Sequence, residues 1–141
     1  DKISGPILDR IDIHIEASPV EYDQLSASGT EESSADIKER VNKARDIQRK
    51  RFAGTAIACN AKMTPKMTKD FCILSENANK MLKVSFEKLG LSARAYDKIL
   101  RIARTIADLD NSDIIEMPHI AEALQYFVVS VFLQSSYQAV L

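Results

Sequence analysis

Residues 91–109 constrain this chain more than any other stretch. Ser92 is a favourable N-cap, and behind it Ala95, Ile99, Ile102, Ala103 and Ile106 recur at spacings of three and four. The pattern predicts one long helix with a continuous apolar stripe, which must be covered by other elements of the same domain. Asp97/Arg101 and Arg104/Asp108 stand at i,i+4 and are expected to pair on the outer face. Gly90 ends the helix before it as a left-handed C-cap, and Asp110–Asp113 form a turn after it.

Three further helices follow from the same kind of signal. Ser33, with Asp36 three positions on, opens one whose stripe is Ile37, Val41, Ala44 and Ile47 and which fades near Phe52–Gly54. Ser75 caps another that carries Met81, Leu82, Val84, Phe86 and Leu89. Pro118 begins the last, with Ile120, Leu124, Phe127, Val128 and Val131 inward. Residues 54–69, with Gly54, Asn60 and Pro65, read as irregular with one short helical turn. Near the N-terminus, Ile11 to Glu16 alternates apolar and polar with period two, the pattern of a half-buried strand. Residues 20–32 are polar and read as a linker. The chain opens directly into patterned sequence without Met and is expected to be part of a longer protein.

Composition narrows the function classes. Among 141 residues, 45% are apolar and Gly and Pro number four each, which suits a helical globular domain. The densest apolar stretch, Phe127–Leu133, is far short of the roughly 18 residues a membrane span needs. Cys59 and Cys72 lie thirteen apart and, with only His14 and His119 besides, assemble no zinc pattern, so no metal site is expected. Unpatterned cysteines and the absence of a glycosylation sequon point to a reducing cytoplasm. GxxxxGK[ST], GxSxG and HExxH are all missing, so the residues alone do not read as a self-sufficient enzyme.

Charge is unevenly placed. Residues 36–69 hold 10 basic and 3 acidic side chains, a net +7, against a net −1 for the whole chain. Lys38, Lys43, Arg45, Arg49 and Lys50 on the first predicted helix are candidates for nucleic-acid contact. Their alternative role is an ordinary solvated helix face. Phe52 is the segment's one aromatic side chain, so base stacking is not indicated.

Two segments carry a family resemblance. Residues 4–16, from Ser4-Gly5-Pro6 through Asp9-Arg10-Ile11-Asp12, resemble the end of the nucleotide-binding core in the magnesium-chelatase-like branch of AAA+ ATPases. Leu91–Leu109 resembles the sensor-2 helix of that branch. Ser34, Ile37, Arg40-Val41, Ala44-Arg45, Gln48, Arg51-Phe52, Asn60-Ala61 and His119–Tyr126 fit the same family in order and spacing. The similarity is nearest to the YifB/ComM-type proteins and covers residues 4–126; a porphyrin-chelatase motor subunit fits less well. After Tyr126 the chain departs from the family's polar ending, with Phe127–Leu133 extending the last helix.

The resemblance implies a mainly α fold: a helical lid of about four helices at 33–126, preceded by a strand remnant of the αβα core at 1–17, a linker at 18–32 and an atypical apolar tail at 127–141. It implies that the parent is a ring-forming ATP hydrolase using ATP and Mg2+, associated in ComM-type members with DNA branch migration, and that the phosphate-binding loop lies upstream. The chain alone would then be inactive and hold no cofactor. Its partners would be the upstream core, neighbouring subunits of a homo-oligomeric ring and DNA, with no membrane. Arg10 matches an arginine finger acting on a neighbour's ATP, and Arg94 matches a sensor-2 arginine reaching its own subunit's phosphates. On their residues alone, Arg10 reads as a strand-end salt bridge with Asp9 or Asp12, and Arg94 as a solvated first-turn residue. The reading from another class is a helical DNA- or protein-binding module without an ATPase role.

Overall fold

A computed structural model describes residues 11–13, 15, 17 and 32–138, with side chains described as far as Phe127. The described residues form five α-helices: α1 (Ser34–Arg51), α2 (Pro65–Phe71), α3 (Glu76–Leu89), α4 (Ala93–Leu109) and α5 (Met117–Gln138). A 3-10 turn, Asn60–Lys62, lies between α1 and α2. The mainly helical class expected from the sequence is therefore observed.

The helix starts follow their caps. Ser33 accepts from the Asp36 backbone N–H, Ser75 from Ala78 and Ser92 from Ala95, at 3.2, 3.3 and 3.2 Å. Thr64 accepts from Met67 at 3.3 Å with Pro65 in the first helical position, so the short turn expected within 54–69 is a seven-residue helix, α2. Gly90 takes φ +59° at the end of α3. Asn111, at φ 54°, closes α4: its own N–H reaches the Asp108 carbonyl, and the N–H of Ser112 reaches that of Ala107.

Helix α4 is the hub. It packs against α5, α1, α2 and the 3-10 turn, and α3 packs on α5. Ala95, Ile99, Ile102, Ala103 and Ile106 are all buried, and with Leu82, Ile115, Ile120 and Ala123 they make the core. Burying a side chain the size of Ile99 contributes about 2–3 kcal/mol. A parallel bridge between Leu74 and Ile115 staples the α2–α3 junction to the α4–α5 junction.

Several expectations are corrected. Ile11, Asp12, Ile13 and Ile15 are described and are not in a strand. A strand needs a neighbour for its backbone groups, and the described residues offer it none. On α1, Ala44 is buried but Ile37 and Val41 are each 43% exposed, because the first half of the helix projects beyond the core. On α3, Val84 and Leu89 are also exposed, and Ala78 and Leu82 take the inward face. Helix α5 does run on through the apolar tail, as far as Gln138.

The largest correction concerns Arg104 and Asp108, expected on the surface and in fact each 1% exposed. Asp108 accepts a forked pair of bonds from Arg51 of α1, at 2.5 and 2.7 Å, and a third from Arg104 Nε at 3.1 Å. Arg104 also donates to the Asp113 carbonyl at 2.7 Å and to the Ser112 carbonyl. Asn60, 1% exposed, donates to Asp108 at 2.8 Å and to Thr105 at 3.1 Å, and accepts from Arg51 at 2.9 Å. The backbone N–H of Asn60 is met by the buried Gln48 side chain at 3.2 Å. Burial pulls the Arg104 guanidinium below its ordinary value, and Asp108 pulls it back up.

Two predictions follow from this packing. Asp108→Ala leaves two desolvated guanidinium groups uncompensated and should cost about 3–5 kcal/mol. Asp97→Ala, which breaks a part-exposed pair with Arg101, should cost about 1 kcal/mol or less. Urea unfolding of both variants checks this, and equal losses would refute the network's importance. Cys72 is the second case: burial pushes its thiol from 9.0 up to about 12. In the unfolded chain the thiol ionises first, so its contribution to stability is complete below pH 9 and is lost as pH rises through 9–12. Relative to Cys72→Ala, the parent should lose about 1.4 kcal/mol per pH unit above pH 9. Urea midpoints of the two proteins at pH 8 and pH 10.5 measure that difference.

Candidate functional site

One face of α4 is left uncovered by the core. Arg94, Lys98, Arg101 and Thr105, at i, i+4, i+7 and i+11, line a cleft of about 530 Å3. Asp12, Ile13 and Ile15 form a second wall, and Glu122 and Tyr126 of α5 a third. The cleft is thus bounded by the end of the N-terminal segment, the hub helix and the last helix.

The three cations on that face differ in how they are held. Arg101 pairs with Asp97 and donates to the Ala61 carbonyl at 3.2 Å, while its Nε is buried with no partner among the described residues. Lys98, with its side chain 16% exposed, reaches the Ile11 carbonyl at 3.1 Å and the Asp12 carboxylate at 3.3 Å. Arg94 is exposed and makes no ion pair among the described residues. It stands in the first turn of α4, where the helix dipole disfavours a cation and where acidic side chains are absent. Across the cleft, Tyr126 donates to Glu122 at 2.9 Å, and that bond pushes its phenol above the ordinary value.

The residues nominated from sequence are not brought together. Arg94 lies at the cleft, whereas Arg10 lies outside the described residues, directly before Ile11 in the chain. Lys38, Lys43, Arg45, Arg49 and Lys50 are exposed on α1 and do not line the cleft. Lys38, Arg45 and Arg49 share one side of α1. Lys43 pairs with Glu39 at 2.7 Å, holding that carboxyl below its usual range, and Arg49 pairs with Asp46 at 2.5 Å. Lys38, Arg45 and Lys50 make no ion pair among the described residues. Sequence reasoning missed Lys98 and treated Arg101 only as a helix-face pair; their spacing from Arg94 was the available signal.

The cleft carries three cations, Arg94, Lys98 and Arg101, and three carboxylates, Asp12, Asp97 and Glu122. Of its two guanidinium groups, Arg101 is paired with Asp97, and Arg94 is the one whose charge and donor geometry are open to an anion such as phosphate. Among the described residues no three His, Cys, Asp or Glu side chains cluster as a metal site. His119 is occupied: its Nδ1 accepts the Glu116 N–H at the start of α5 at 2.9 Å, and its Nε2 meets Asp110 at 3.0 Å. No helix among the described residues is long and apolar enough to cross a membrane.

Residues 31–126 match the family described as magnesium chelatase, subunit ChlI C-terminal. The chain belongs to this magnesium chelatase-like family. Within it, the chain is 40% identical over 134 residues to the competence protein ComM of Haemophilus influenzae, covering 94% of this chain and 26% of that protein. It is 38% identical over 133 residues to YifB of Escherichia coli K12, with the same coverage, and 34% identical over 135 residues to YifB of Salmonella typhimurium. This magnesium chelatase-like chain therefore falls in the YifB/ComM group and spans about a quarter of the length of the curated relatives it matches.

Proposed function

We propose that this chain is the sensor-2 lid of a magnesium chelatase-like AAA+ ATPase of the cytoplasm, whose ring of identical subunits acts in DNA branch migration. The observation that carries the reading is the contrast among the arginines of α4. Arg101 and Arg104 are committed to pairs, and Arg94 is exposed at the edge of a cleft where the helix dipole gives it no structural reward. A first-turn guanidinium so placed suits the phosphates of a nucleotide bound by the upstream core. ATP with Mg2+ would supply the phosphoryl group for transfer to water. Arg94 would bind its oxygens and shift the lid with nucleotide state. Arg10, contributed to the neighbouring subunit, would stabilise charge developing on the transferred group. Two free cysteines fit a reducing compartment.

In the full-length protein, Arg94→Ala should lower ATP turnover by about 10–100-fold, and Arg10→Ala by about 1,000-fold or more, the scale of a lost arginine finger. Circular dichroism should show both variants folded. An unchanged rate for both would remove the assignment.

A second reading has one observation behind it: Lys38, Arg45 and Arg49 line one exposed side of α1. Under it the chain itself would be a DNA-binding module. Its expected outcome is a gel shift of duplex DNA by the 141-residue chain at 50 mM salt, lost by about 200 mM. Absence of binding at low salt disposes of it.

A further inference from the structure

Lys98 lies one helical turn beyond Arg94, on the same side of α4. Its side chain is 16% exposed, and its ammonium spans to a different part of the chain. It donates to the Ile11 carbonyl at 3.1 Å and stands 3.3 Å from the Asp12 carboxylate. Ile11 and Asp12, whose groups it holds, directly follow Arg10 in sequence. One side chain thus fastens the segment that follows the finger candidate to the helix that carries the sensor candidate. Among the described residues the rest of that fastening is slight, because Ile11 and Ile13 are 40% and 47% exposed and neither is in a strand.

We infer that Lys98 is a positioning residue that clasps the Ile11–Ile13 segment to α4, so that movement of the sensor helix in one subunit moves the arginine offered to the next. The inference rests on the lid reading above and deepens it by naming the link between the two arginines. A lysine fits this role because its single ammonium serves a carbonyl and a carboxylate at once across a gap. Arg94 senses the nucleotide of its own subunit and Arg10 acts on the neighbour's, so the clasp makes hydrolysis at one site depend on occupancy at the adjacent one. Without it, both arginines would still be present, but the second would be poorly held.

The test uses the full-length protein. Lys98→Met keeps the length of the side chain and removes its charge. Cleavage within residues 11–17 by a non-specific protease, which needs the segment detached from α4, should then quicken about tenfold, the scale of one charged hydrogen bond. The turnover number should fall about 5–30-fold with KM for ATP changed less than twofold, the pattern of lost alignment rather than lost binding. Lys98→Arg should restore both readouts, which a purely structural role for the aliphatic stem would not require. Asp12→Asn, at a 63% exposed side chain, attacks the clasp without touching α4 and should quicken the same cleavage about threefold. Adding Lys98→Met to Arg10→Ala should slow turnover no further, since Lys98 acts through that arginine. Unchanged cleavage and turnover in Lys98→Met, or a full additional loss in the double variant, overturns the inference. If Arg94→Ala also leaves hydrolysis intact, the lid reading itself fails. If Arg94→Ala abolishes hydrolysis while Lys98→Met does not affect it, only the clasp is wrong.

Discussion

Asp108 receives Arg51 from α1, Arg104 from its own helix and Asn60 from the 3-10 turn, all within 3.1 Å. Burying an ion pair seldom adds stability over an apolar pair of equal volume, because desolvation offsets most of the attraction. What this cluster adds is a defined arrangement. Residues 52–64 form no long helix, yet they lie against the core with polar backbone that must be satisfied. The Asn60 N–H finds Gln48, its amide finds Thr105 and Asp108, and the carbonyls of Ser112 and Asp113 at the far end of α4 find Arg104. A purely apolar core could pack these helices but could not specify where the connecting segment sits.

The placement of that cluster decides where a site can form. Helix α4 has its polar cluster on one arc and its aliphatic stripe on another. The remaining arc, containing Arg94, Lys98, Arg101 and Thr105, is left to the cleft. Arg101 and Arg104 are three residues apart and belong to different arcs. One lines the cleft and the other is sealed in the core, although both pair with an aspartate at i±4.

Much of this was legible in the chain. Ser33, Ser75, Ser92 and Gly90 mark helix ends whose capping bonds are local, so no distant contact was needed to read them. The interior of α4 was equally clear, because its apolar stripe is unbroken. The i,i+4 spacing of Arg104 and Asp108 misled, since that spacing is the same for an exposed pair and a buried one. The missed clue was that Arg104 falls on the same arc as Leu100, Ala103 and Ala107, an apolar setting that a surface arginine would not share. The alternation at Ile11–Glu16 is a different case: Ile11, Asp12, Ile13 and Ile15 are not in a strand, and His14 and Glu16 lie outside the described residues. Period two gives a segment two faces, but a strand exists only where a neighbour accepts its hydrogen bonds. Of the cleft, only Arg94 was found, because Lys98 and Arg101 acquire their meaning from Ile11, Asp12 and Ala61, which lie tens of residues away in sequence.

If the chain is the lid proposed above, it must move as one piece, or displacement at one end is dissipated before it reaches the other. The Asp108 cluster ties α1, the 3-10 turn, α4 and the loop into α5 through bonds that are largely out of water, where breaking one partner strands the others. The bridge between Leu74 and Ile115 adds the α2–α3 junction to the same body. Against that stiffness, Ile11 and Ile13 of the N-terminal segment are 40% and 47% exposed, and the polar contacts described for it are those with Lys98. Rigid helices leave the contact between Ile11–Ile13 and α4 as the thinnest link in the body, and Lys98 is the described side chain that bridges it. If nucleotide binding draws on Arg94, the displacement of α4 reaches the N-terminal segment only through that link, so the strength of the Lys98 contacts sets how much of it is passed on.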